Sequence, residues 1–125
     1  MASIKKDNNR RKHKRYNIGN GGFALLRNHG KEVLGSIRDI SSGGLCLSYM
    51  DEEDTIDNNS RITINLVAEN IYYEKYSGRS IWSQKEKDGF STALVKMKSR
   101  GIQFEHLSEK MQAQLNKFID WLMNK

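Results

Sequence analysis

Val33-Leu34-Gly35-Ser36-Ile37-Arg38-Asp39-Ile40-Ser41-Ser42-Gly43-Gly44-Leu45-Cys46-Leu47-Ser48-Tyr49-Met50 is the stretch on which the fold turns. Two apolar runs rich in strand-forming residues flank Asp39-x-Ser41-x-x-Gly44, whose side chains and glycines suit a tight polar turn. The pattern predicts one strand over 33–40 and another over 44–50. A strand is also expected on the N-terminal side, where Gly19, Gly21 and Gly22 lead into Phe23-Ala24-Leu25-Leu26 and His29-Gly30-Lys31 supplies a turn.

On the C-terminal side, residues 51–60 are acidic and polar and read as a surface loop, with Asn58-Asn59-Ser60 as a turn rather than a glycosylated site. Arg61 to Ala68 has mostly the alternation of a half-buried strand. Tyr72 to Ser83 reads as one strand bent at Gly78, and Gln84 to Gly89 as a hairpin loop closed by Asp88-Gly89. Phe90 to Met97 is the expected return strand, with Ser99-Arg100-Gly101 interrupting before Ile102-Gln103-Phe104. The last segment changes period. Ser108 suits an N-cap, and Met111, Leu115, Phe118 and Leu122, widened by Ile119 and Met123, line one face of a helix over about 108–124. The chain is therefore expected to be mostly β, a small six-stranded antiparallel β-barrel with a C-terminal α-helix.

The length of 125 residues suits one domain, with 1–9 as a flexible basic arm and 10–125 as the folded unit. No apolar run could span a membrane, and no apolar stretch follows the early basic residues as in a secretory signal, so a cytoplasmic location is expected. Cys46 is the only cysteine, which rules out an intrachain disulfide, and its apolar neighbours point to a buried, inert thiol. His13, His29 and His106 lack partners at ligand spacing, so no metal is expected. No nucleophile elbow, phosphate loop or zinc-protease helix is present, and Glu52 and Glu53 read as a solvated acidic loop.

Charge is distributed unevenly. Residues 1–16 carry Lys5, Lys6, Arg10, Arg11, Lys12, Lys14 and Arg15 against Asp7 alone, while the formal net charge of the whole chain is +6. All the net charge therefore lies in residues 1–16, which suits a phosphate-seeking segment on a neutral body or a plain solvated tail. An arginine fork matches the O6/N7 edge of guanine or two phosphate oxygens, and Arg11 and Arg15 could grip a compact ligand from two sides, with Arg10 beside them. At the turn, Asp39 could accept from the N1 and N2 hydrogens of guanine and Ser41 complete the polar edge, while Gly43 and Gly44 let the backbone come close. The alternative for the turn is that Asp39 and Ser41 merely bond local amides.

Arg11-x-x-x-Arg15, Asp39-x-Ser41-x-x-Gly44, the late Gly101-Ile102-Gln103-Phe104 element and the terminal helix together resemble the PilZ domain family, over about Arg10 to Leu122. The resemblance implies a non-enzymatic receptor that binds cyclic di-GMP on the outer face of the barrel through Arg11, Arg15, Asp39, Ser41 and Gly44, with no other cofactor. Gly78-Arg79-Ser80-Ile81-Trp82 looks like the family's late strand, in which Arg79 and Trp82 would lie near the ligand, against a core role for Trp82. Arg10 holds the position that, in the family, influences whether one ligand or a stacked pair binds. The expected partner is a downstream protein in motility, polysaccharide or adhesion control. Two rivals are a nucleic-acid module that uses the arm for phosphates, although long nucleic acid is not the expected partner, and a ligand-free adaptor on the same fold.

Overall fold

In the computed structural model, the described residues are 16–17, 21–50, 56–85 and 97–124. The arginine cluster 10–15, the arm 1–9, the acidic loop 51–55 and most of the expected return strand 90–97 lie outside them. Seven strands precede one helix: β1 (Tyr16–Asn17), β2 (Gly22–Asn28), β3 (Lys31–Ile40), β4 (Gly44–Met50), β5 (Arg61–Ala68), β6 (Ile71–Lys85), β7 (Met97–Glu105) and α1 (Glu109–Met123).

All pairings are antiparallel, in the order β1-β3-β2-β5-β6-β7-β4, and β4 pairs back onto β3. That last pairing closes six strands into a barrel, and β1 is a short addition on β3. The β2–β3 hairpin turns through His29 and Gly30, both at positive φ (50° and 82°), the backbone that suits the twist of a two-residue hairpin. Two expectations change. Ser99-Arg100-Gly101 does not interrupt a strand, because β7 runs through it and pairs with β4 on one side and β6 on the other. Gln84 and Lys85, expected in a loop, extend β6 opposite Ser99 and Lys98.

Alternate residues turn inward. Ala24, Leu26, Ile37, Ile40, Leu45, Leu47, Ile64, Leu66 and Ile102 are essentially inaccessible to solvent. The helix covers one opening of the barrel with Leu115, Phe118, Ile119 and Leu122. Its N-terminus is capped as the sequence predicts, the Ser108 hydroxyl accepting from the Met111 amide at 3.1 Å. Tyr73 meets Phe118 edge-on with centroids 6.5 Å apart, and the methyl groups of Leu122 lie close to Gly22. Tyr76 is the polar fastener, since its buried hydroxyl donates to the Met111 carbonyl at 2.7 Å.

Burial of the Tyr76 phenol, reinforced by the neighbouring Tyr73, raises its pKa from 10.0 to about 12. The folded state holds that proton after an unfolded tyrosine would lose it, so the contribution is complete below pH 10 and is lost as pH rises through 12. An absorbance titration should show a phenol ionising near pH 12 that is missing in Tyr76→Phe. The same variant should lose about 1 kcal/mol of stability, read as a melting temperature lower by about 4 °C.

Candidate functional site

The turn between β3 and β4 is built from its own serine. Ser41 is 2% exposed, and its hydroxyl accepts from the amides of Gly43 (3.1 Å) and Gly44 (3.2 Å). Its own amide donates to the Gly44 carbonyl at 2.8 Å. The hydroxyl is thus engaged inside the turn, as in an ST-turn, and its effect on the outer face is to fix the backbone there. Phe104 of β7 ties the turn to the barrel wall, donating its amide to the Gly43 carbonyl at 2.9 Å. Gly44 has to be glycine, since a Cβ would stand 2.2 Å from the carbonyl oxygen of Ile102.

Beside the turn, one lateral row of residues crosses five strands: Trp82 on β6 pairs with Gly101, Gly101 with Cys46, Cys46 with Asp39, and Asp39 with Asn17 of β1. Residues paired in this way share a face, and for Trp82, Gly101, Cys46 and Asp39 it is the outer one. Each end of the row carries a register shift, between Ile37 and Asp39 on β3 and between Ser80 and Trp82 on β6. The extra residues are Arg38 and Ile81, both exposed. Such bulges re-aim side chains. They set Arg38 beside Asp39 at one end and Ile81 beside Trp82 at the other. Between the two ends lie the half-buried Cys46 and Gly101, where a Cβ would lie 2.2 Å from the Trp82 indole nitrogen. The indole therefore lies across Gly101.

Several residues expected to act are brought onto this face. Asp39 is half-buried, Gly43 and Gly44 form the turn, and Trp82 is 40% exposed rather than in the core. The β6 bulge is what turns Trp82 outward. Arg79 stands in the adjacent row, Arg79–Gln103–Gly44, where its guanidinium pairs with Glu105 (3.1 Å) and donates to the Asn59 carbonyl (2.8 Å). Arg10, Arg11 and Arg15 lie outside the described residues, but the chain re-enters at Tyr16–Asn17, paired with Ile40 and Asp39. Cys46 is half-buried on the outer face, not enclosed, because its position alternates with the inward Leu45 and Leu47. Arg38, Cys46 and Gly101 were not singled out from the sequence as site residues. Only the bulges and the cross-strand register connect them to Asp39.

A separate cavity of about 200 Å³ lies on β5–β7, with Arg61, Thr63, Ser77, Glu105 and His106 in its walls. The Asp39 turn does not line it. Among the described residues, no three His, Cys, Asp or Glu side chains gather where a metal could bind, and no helix is long and apolar enough to cross a membrane.

Residues 9–121 match the sequence family described as the PilZ domain. The chain belongs to that family. Solved structures agree at the level of fold. The PilZ domain of YcgR from Escherichia coli, solved with c-di-GMP, superposes with a TM-score of 0.76 at 16% identity, covering 91% of this chain and 92% of that one. The MrkH–c-di-GMP complex of K. pneumonia gives 0.72 at 15% identity over 90% of this chain and 52% of that one. The Bacillus subtilis inhibitor of motility MotI/DgrA gives 0.62 at 17% identity over 93% and 52%. This PilZ chain thus spans about half the length of MrkH and MotI/DgrA. A comparison with curated protein sequences returns no match.

The PilZ turn offers a direct test of the geometry. Gly44→Ala drives a methyl group into the Ile102 carbonyl, and relief requires the turn to lift off β7. The expected cost is about 1–3 kcal/mol. Hydrogen exchange should show the Phe104 amide losing protection more than amides in β2 and β5.

Proposed function

We propose that the protein is a non-enzymatic receptor for cyclic di-GMP, acting in the cytoplasm. The observation that carries this reading is the β1–β3 ladder. Tyr16, the residue directly after the arginine cluster, pairs with Ile40, and Asn17 pairs with Asp39. In the proposed site, Arg11-x-x-x-Arg15, which ends one residue before this ladder, and Asp39-x-Ser41-x-x-Gly44 would act on one ligand from two sides. Membership of the PilZ family and the c-di-GMP present in the YcgR and MrkH structures support the same ligand.

In this reading Asp39 accepts from the Watson–Crick edge of a guanine, and the backbone around Gly43 and Gly44 lets the ring approach. Arg11 and Arg15 pair with phosphate oxygens or with the O6/N7 edge, and Arg10 is a third cation beside them. Trp82 offers a flat aromatic surface at the far end of the row, and Arg79 a guanidinium in the next row. Fixing the arm costs about 1–2 kcal/mol per residue, so several charge-assisted hydrogen bonds are needed to offset it. The ordered arm then presents a surface, absent without ligand, to a downstream protein.

Calorimetry with cyclic di-GMP tests the proposal. The intact chain should bind, while Arg11→Ala and Asp39→Ala should each weaken binding by about 10- to 100-fold without lowering the melting temperature. Binding of long DNA or RNA that falls steeply with salt, indifferent to Asp39→Ala and without preference for the dinucleotide, would replace it with the nucleic-acid reading.

A further inference from the structure

Arg100 is among the most deeply buried side chains of the barrel, at 1% exposure. An arginine is costly to remove from water and is tolerated inside only where its fork of donors meets matched acceptors. Among the described residues, three such acceptors converge on it from three parts of the chain. Its Nε donates to the Tyr49 hydroxyl on β4 at 3.1 Å, one terminal nitrogen to the Ser80 hydroxyl on β6, and the other to the Ile56 carbonyl ahead of β5 at 2.7 Å.

Ser80 is the informative partner, because it is held from a second side as well. Its amide donates to the Ser60 carbonyl at 3.0 Å, and its carbonyl accepts from the Asn59 amide. Arg79 precedes it and reaches the Asn59 carbonyl, and the bulge residue Ile81 and then Trp82 follow it. The register places Ser80 opposite Ile102 and Trp82 opposite Gly101, so the bulge begins where Ser80 is pinned. One step along β7 from Arg100 is Gly101, over which the Trp82 indole lies. Two consecutive residues of β7 thus grip β6 from inside and seat its tryptophan outside.

We infer that Arg100 is a positioning residue: from the barrel interior, through Ser80, it fixes the β6 bulge that turns Trp82 onto the ligand face. The role in binding rests on the receptor reading above, whereas the effect on Trp82 does not. In a strand, a slip of one residue exchanges the two faces. Freeing Ser80 lets the bulge relax and the indole leave Gly101. A lysine at 100 keeps the charge but cannot span three acceptors that diverge around a planar fork.

The test uses the full chain carrying Trp121→Phe, which leaves Trp82 as the single tryptophan, with Ser80→Ala or Arg100→Lys added. Without ligand, both variants should shift the Trp82 emission maximum and change its quenching by acrylamide, while circular dichroism keeps the barrel signature. Calorimetry with cyclic di-GMP should show affinity lower by about five- to tenfold, the scale of one lost buried hydrogen bond. Unchanged Trp82 emission and quenching in folded Ser80→Ala overturns the inference. If Arg100→Lys does not fold, Ser80→Ala decides alone. Failure of the parent chain to bind the dinucleotide would remove the receptor reading, and the ligand-free Trp82 signal would still decide whether Arg100 and Ser80 set the bulge.

Discussion

The hydrogen bond from the Phe104 amide to the Gly43 carbonyl joins a turn to a strand about sixty residues further along the chain, and the face proposed to bind ligand depends on it. Ser41 makes the turn a rigid unit, but a rigid unit can still hinge about its two strands. Contact with β7 removes that freedom. The contact is possible only because Gly44 has no side chain, since the Ile102 carbonyl occupies the space a Cβ would need. On the inner side of the same strand, Phe104 packs against Tyr76 with ring centroids 5.8 Å apart, and Tyr76 holds the helix through Met111. Turn, wall and helix are therefore connected through neighbouring positions on β6 and β7.

The two bulges solve a common problem at opposite ends of one row. A regular strand alternates its side chains, so it can show only every second residue on a given face. Inserting Arg38 beside Asp39 and Ile81 beside Trp82 gives each end two adjacent outward residues. Between them stand the half-buried Cys46 and Gly101, which makes room for the indole. The result is an outer face with an acid and a cation at one end and an aromatic at the other. The turn backbone beside it is held by bonds already made in the folded chain, so little ordering is left for that turn to undergo.

Much of the architecture was legible in the residues, because turn chemistry and period are local properties. His29-Gly30, Asp39-x-Ser41-x-x-Gly44 and the 3.6-residue stripe from Met111 to Leu122 each identify their element without help from elsewhere. What failed was whatever depended on a partner strand. Ser99-Arg100-Gly101 resembles a break because it pairs a charge with a glycine. In the barrel the charge turns inward to acceptors on other elements, and the glycine makes room for an indole. Trp82 on the basis of hydropathy belongs inside, yet one inserted residue, Ile81, reverses its face. β1 is only two residues long, too short to have a period. It is nevertheless the element that pairs the chain just after the arginine motif with Ile40 and Asp39.

That division bears on the proposed mechanism. The barrel body is nearly neutral, and its outer row offers Asp39, an acid, to an anionic ligand. An acid there can accept the hydrogens of a base edge, and it opposes phosphate. In the proposed mechanism, discrimination and attraction are separated along the chain: the outer row would read the base edge, and the basic segment before Tyr16 would supply the charge. A phosphate-rich polymer satisfies the second part without the first. A ligand that joins guanine edges to two phosphates in a compact ring satisfies both at once, and only then does the gain from charge-assisted bonds add to a fit that was set when the barrel folded.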